Sequence, residues 1–172
     1  MNAKQYLYCV QILRQAYKSK LDTKLPAIPV AAQAILEAGY FAKGEPYDTE
    51  TGKRSFNLFG VKAYPKRGWV GNNGYVTCRT HEEINGEMKL KIRDFRAYHS
   101  FKDSFDDHAR ILWVSTKNGK QRYAEAYKYL NDGEAFITEV WKAGYASDSK
   151  YLKNIIPLMR QLNRIPIWIL KL

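Results

Sequence analysis

Tyr6, Cys9, Val10, Leu13 and Tyr17 recur at helical spacing with Lys, Arg and Gln opposite them, which predicts an amphipathic helix over roughly residues 3–18. A polar break from Ser19 to Lys24 follows. From Ile28 to Gly39 the pattern is helical again, with Val30, Ala31, Ala34, Ile35 and Ala38 forming an apolar face of small residues that allows close packing. Pro29 suits a first helical position, where it has no N–H to lose. Gly39 suits the left-handed residue that closes a helix. Residues 43–55 are Gly, Pro, Asp, Thr, Lys and Glu for the most part, a long polar loop, and Asn57 to Ala63 is a compact apolar insert.

Over residues 69–98 the period changes. Gly71-Asn-Asn-Gly74 is turn chemistry, Tyr75 to Arg79 is rich in β-formers, and Asn85-Gly86 is a strong hairpin signal. Met88, Leu90 and Ile92 then alternate with Lys89, Lys91 and Arg93, as in a half-buried strand. Everything from Ser100 onward reads as helix. Ser100 and Asp103 form a capping box ahead of Phe101, Phe105, Ala109, Leu112 and Trp113. Arg122 to Leu130 and Glu134 to Ala143 follow, the second stopped by Gly144. Asp148 caps a last helix that buries Leu152, Ile155, Ile156, Met159 and Leu162 and is kinked at Pro157. Helices, a β insert and helices again describe one α+β domain over residues 1–172. It has a mainly helical lobe and a small antiparallel β lobe at about residues 43–98.

The formal charge of +11 calls for an anionic partner: nucleic acid, a membrane surface or a cell-wall polymer. Lys and Arg are dispersed, with no basic helix and no aromatic-rich sheet motif, which argues against nucleic acid. No apolar run is long enough to insert in a membrane, and the N-terminus lacks the apolar stretch of a signal peptide. Cys9 and Cys78 have no metal spacing and read as buried free thiols.

The chemistry rests on carboxylates. Glu37 falls in the last turn of its helix, where unpaired carbonyls disfavour an anion, and no cation in the segment offsets them. Tyr40 and Phe41 follow as desolvating neighbours, so the carboxyl is expected to hold its proton as a general acid must. His81, His99 and His108 form no metal constellation, and no Gly-rich loop cradles a nucleotide. Glu82 and Glu83 sit just before the hairpin turn. An acid on each wall of a cleft between two lobes is the geometry of glycoside hydrolysis. A helix-end Glu and an acidic hairpin tip are also ordinary solvated features.

Four stretches carry a resemblance. They are Gln33-Ala-Ile-Leu-Glu-Ala-Gly39, Asn57-Leu-Phe-Gly-Val-Lys62, Phe95-Arg-Ala-Tyr-His-Ser100 leading into Asp103-Ser-Phe-Asp-Asp-His108, and Ala143-Gly-Tyr-Ala-Ser-Asp148 with Tyr151. In that order they resemble glycoside hydrolase family 73, the peptidoglycan endo-β-N-acetylglucosaminidases. The resemblance implies a lysozyme-like fold with Glu37 as the acid. It aligns Glu82 with the Glu of the family's hairpin and Tyr145 with a Tyr that assists at the cleavage point. It implies substrate-binding places for Tyr40, Asn57, Phe59 and Tyr151. Ala38, Tyr40 and Ser149 depart from the family's usual Ser or Thr, Trp and Pro, and Glu83 leaves the second carboxylate ambiguous by one residue. The implied protein is a monomer acting on glycan strands at the bacterial wall (secreted, periplasmic or phage-delivered). It needs no cofactor or metal, no nucleic acid and no membrane insertion. The alternatives are a muramidase on the same fold and a non-catalytic module binding wall or nucleic acid.

Overall fold

The computed structural model describes residues 2–39, 45–84 and 87–171, with the side chains of residues 80–84 and 88 outside that description. The chain divides into two units, Met1–Leu36 with Phe105–Leu172, and Glu37–Ser104. The fold is α+β, as the pattern predicts.

In the first unit, α1 spans Ala3–Thr23. Asn2 starts it with a reciprocal cap: its Oδ1 accepts from the Gln5 N–H at 2.9 Å, and its own N–H donates to Gln5 Oε1 at 2.9 Å. The expected break at Ser19–Lys24 is instead the last turn of this helix, which closes at left-handed Lys24. Ser19 stays helical because its side chain is spent inside: it is buried and its hydroxyl donates to Asp106 Oδ1 at 2.6 Å. The buried stripe is Cys9, Ile12, Leu13, Ala16 and Ser19, so Tyr6, Val10 and Tyr17 flank the core rather than fill it.

Helix α2 spans Ala27–Glu37, and every residue from Pro29 to Ile35 is buried. The expected single apolar face is thus a helix buried all round, the signature of a core element. Pro29 stands third in the helix, still inside the first turn where no amide bond is lost.

Helix α3 runs Phe101–Val114, and α4 and α5 run Gly133–Lys142 and Tyr151–Leu162. Asp132 caps α4 by accepting from the Ala135 N–H at 3.0 Å. Arg122 clamps the other end, its Nε donating to the Ala143 carbonyl at 2.8 Å and its guanidinium also meeting the Gly144 carbonyl. A cation there satisfies carbonyls that the helix leaves unpaired. Phe136, Ile137, Val140, Ile155, Leu158, Met159 and Leu162 supply buried side chains, and α4 packs on α5.

Four expectations fail in this part of the chain. Arg122–Leu130 is not a helix but turns with one 3-10 segment, Ala126–Tyr129. Between α3 and that segment lies a second hairpin, β3 (Thr116–Lys117) and β4 (Lys120–Gln121), turning at Asn118-Gly119 with φ of 54° and 74°. This is the same Asn-Gly chemistry as at residues 85–86. Trp113 is exposed and meets the Tyr127 ring edge-on at 5.1 Å, rather than joining the core. Asp148 does not cap α5 directly; it accepts from the Lys150 N–H at 2.8 Å in a turn just ahead of the helix.

The second unit is built on β1 (Tyr75–Ile84) and β2 (Glu87–Arg96), antiparallel with Ile84 opposite Glu87. That register leaves a two-residue connection at Asn85-Gly86, themselves outside the described residues. The segment from Ser55 to Ala63 runs along the other edge of β2: the Arg96 N–H donates to the Val61 carbonyl at 3.0 Å, and the Ala63 N–H to Asp94 at 2.8 Å. Val76, Cys78 and Ala97 form a small core with Phe95 against it. Leu90 and Ile92, expected inward, are exposed at 57% and 65%. Among the described residues nothing covers these two side chains, so alternation there does not mark a buried face. Cys9 and Cys78 are buried free thiols; burial pushes the Cys9 thiol up to about 11. No described helix is long and apolar enough to cross a membrane.

The turn before β1 depends on Gly71. A β-carbon there would stand 2.0 Å from the Ala97 carbonyl oxygen, while the Ala97 N–H donates to Gly74 at 2.9 Å and the Asn73 N–H to Ala97 at 3.0 Å. Gly71→Ala should therefore cost about 2 kcal/mol or more, read from denaturant midpoints. An unchanged midpoint would mean that the turn can move off Ala97 freely.

Candidate active site

Glu37 is the last residue of α2, and Gly39 leaves the helix at φ 67°. The side chain lines a cavity of about 300 Å³ in the second unit together with Glu45, Tyr47, Asn57, Cys78 and Arg79. Glu37 stays accessible to solvent, as an acid that must meet a substrate has to. Enough protein surrounds it that loss of hydration holds its carboxyl above the ordinary carboxylate range. Burial is the whole cause of that shift.

Two groups in this cavity are not singled out by the sequence pattern, in which residues 43–55 read only as a polar loop. Glu45 accepts from Arg54 Nε at 2.7 Å and is largely enclosed, while Arg54 lies over the Phe56 ring at 4.6 Å. The legible signal would have been the complementary charges nine residues apart. Arg79 projects from β1 into the same cavity wall. The wall carrying Tyr47 and Thr49 is tied to β1 by Asp48. Its carboxylate accepts from the N–H groups of Thr51 at 2.8 Å and Thr77 at 3.1 Å. These bonds hold the Asp48 carboxyl down at about 2.

The remaining predicted residues divide by unit. Asn57 is buried in the cavity wall. Its Nδ2 donates to the carbonyls of Val61 at 2.9 Å and Arg96 at 3.0 Å, and its Oδ1 accepts from the Val61 N–H at 3.0 Å. An amide bonded to three backbone groups braces this part of the cavity wall. Phe59 is buried and lies outside the cavity lining. Glu82 and Glu83 stand in β1 opposite Lys89 and Met88, with their side chains outside the described residues. Tyr40 also lies outside them.

In the first unit, Tyr145 sits edge-on to His108 at 5.7 Å and tilted on Tyr151 at 6.0 Å. His108 is buried, and desolvation pushes it down to about 3, so the ring is neutral. Its Nε2 lies 3.4 Å from Oε1 of Gln33 in α2. Neither His108 nor Gln33 is marked as part of this arrangement by spacing alone. Among the described residues no three His, Cys, Asp or Glu side chains are grouped to hold a metal.

Residues 13–164 match the family described as glucosaminidase, mannosyl-glycoprotein endo-beta-N-acetylglucosaminidase. The peptidoglycan hydrolase FlgJ of Vibrio parahaemolyticus is 33% identical over 131 residues, 76% of this chain and 39% of that one. The exo-glucosaminidase LytG of Bacillus subtilis is 33% identical over 137 residues, 80% and 44%. The chain thus spans less than half the length of these curated relatives. Among solved structures, the glycoside hydrolase domain of Salmonella typhimurium FlgJ superposes with a TM-score of 0.71 at 26% identity, covering 95% of this chain and 89% of that one. A mutant peptidoglycan hydrolase from Sphingomonas sp. A1 gives 0.63 at 32% identity, covering 87% and 92%.

The Glu37 shift has a consequence for stability. A carboxyl raised above its unfolded value favours the folded state at low pH, and that contribution is lost as pH rises through the folded pKa. Glu37→Gln removes the ionisable group. Its melting temperature should match the parent below the ordinary glutamate range near about 4.3 and exceed it at neutral pH. A gap that is flat across pH 4–8 would mean that the carboxyl is fully hydrated.

Proposed function

This chain belongs to the glucosaminidase family, and from that premise we propose that it hydrolyses peptidoglycan at the β-1,4 bond between N-acetylglucosamine and N-acetylmuramic acid. The observation that carries the reading is the Glu37 carboxyl: solvent-accessible, held above the ordinary carboxylate range by loss of hydration, and set in a cavity wall at a helix end. A carboxylic acid in that state can protonate the glycosidic oxygen as the bond to the sugar breaks. Positive charge then develops on the ring and needs a negative or nucleophilic partner on the other side.

Glu82 is the proposed partner, either activating water or stabilising that charge. Glu45, fixed by Arg54 in the Glu37 cavity, is the competing carboxylate. The substrate's own acetamido oxygen is the third candidate, since some glycosidases form their intermediate that way. Tyr145, with its ring held against His108 and Tyr151, is proposed to assist at the cleavage point. The anionic wall suits a chain of net charge +11 and sets its place of action.

Glu37→Gln should keep the fold and lose roughly 10²-fold or more in release of reducing ends from purified wall, the scale of a missing general acid. Near-normal turnover would sink the mechanism, and muramic acid rather than N-acetylglucosamine at the new reducing ends would overturn the bond assignment.

Separate Gln substitutions at Glu82, Glu83 and Glu45 identify the partner. The largest loss is expected at Glu82. A larger loss at Glu83 would shift the hairpin register by one residue, and a larger loss at Glu45 would move the role to the Arg54 pair. Small, equal losses at all three would favour the acetamido oxygen.

A further inference from the structure

Away from the Glu37 cavity, the second unit displays an aromatic and cationic loop that the proposed reaction leaves unused. Residues 64–69 read Tyr-Pro-Lys-Arg-Gly-Trp. Its ends are bridged by two backbone bonds: the Tyr64 N–H donates to the Trp69 carbonyl at 2.8 Å, and the Trp69 N–H to the Tyr64 carbonyl at 3.2 Å. Between them Pro65–Arg67 make a 3-10 turn, and Gly68 closes it at φ 68° with its N–H on the Pro65 carbonyl at 3.0 Å. The backbone therefore holds the two residues opposite one another, and their rings stand at 87° with centroids 6.1 Å apart.

Both rings face water, Tyr64 with 49% and Trp69 with 55% of its surface exposed. Fixing a large aromatic pair in the open forgoes the burial that would repay its ordering. Lys66 and Arg67, exposed at the tip, make no ion pair among the described residues. Preoriented aromatic faces suit the C–H faces of pyranose rings, and free cations suit carboxylates. A ligand that satisfies both is a glycan carrying acidic groups. Single-stranded nucleic acid also takes rings and cations, but it needs platforms that receive successive bases. Two rings at right angles do not form such a stack.

We propose that the Tyr64–Trp69 loop is a non-catalytic docking platform for an acidic glycan strand. The proposal rests on the reading that peptidoglycan is the substrate, and it adds a second point at which the chain grips that polymer.

The test uses the full chain carrying Glu37→Gln, so that the wall survives, with cosedimentation on purified wall as readout. Adding Trp69→Ala should weaken binding about three- to tenfold, and Trp69→Phe should restore most of it. Lys66→Ala with Arg67→Ala should weaken binding to wall and to a soluble muropeptide, but not to an uncharged N-acetylglucosamine oligomer. Fluorotryptophan at Trp69 in the otherwise unchanged chain gives a reading that does not depend on a variant folding: its ¹⁹F resonance should move on titration with the oligomer.

Parental wall binding by Trp69→Ala, an unmoved resonance, or Trp69-dependent binding of a single-stranded oligonucleotide in place of the glycan would each overturn the platform. The two readings fail separately. A parent chain that releases no reducing ends yet binds wall through Trp69 loses the hydrolase and keeps the platform.

Discussion

The burial of α2 from Pro29 to Ile35 is the constraint on which the first unit depends. A helix of Ala, Val, Ile and Pro with no solvated side from Pro29 to Ile35 has no face along which it can turn without exposing apolar surface or colliding with a neighbour. Its one polar core residue, Gln33, points at a neutral buried His108 and so pins the rotation as well. Burying an amide is costly, and the contact with His108 offsets that cost at Oε1 though not at Nε2, which favours one helix orientation over others that hydrophobicity alone would allow. The helix then ends, and the first residue past its buried stretch to meet solvent as a carboxyl is Glu37.

The second unit solves a different problem. Its apolar core is small, and much of its order comes from polar side chains bonded to backbone: Asn57 to Val61 and Arg96, Asp48 to Thr51 and Thr77, Ser104 Oγ accepting from the Leu58 N–H at 3.1 Å. Such bonds are directional where hydrophobic burial is not. They suit a region that must hold a cavity open, since walls fixed by hydrogen bonds need no bulk behind every residue.

Local chemistry was legible wherever one segment sufficed to decide it. The Ser100 cap, the left-handed Gly39 and the antiparallel pairing of β1 with β2 all follow from residues a few positions apart. The reading went astray where the deciding partner is distant or missing. Ser19 looked like a helix stop because Asp106 is far along the chain. Leu90 and Ile92 alternate like buried residues but are exposed among the described residues. Asn118-Gly119 was passed over although its signal equals that at residues 85–86, because flanking strands of two residues carry no period. At the site, Glu45 reads as loop charge until Arg54 is found beside it.

Both thiols are enclosed, and neither is joined to another sulfur. Because burial keeps the Cys9 proton in place up to about pH 11, the reactive thiolate is scarce at any pH the protein meets. No covalent crosslink between these cysteines has to form for the chain to fold, and none is there for a reductant to break. The order of the folded state therefore rests on packing and hydrogen bonds, with no bond between Cys9 and Cys78 among its supports.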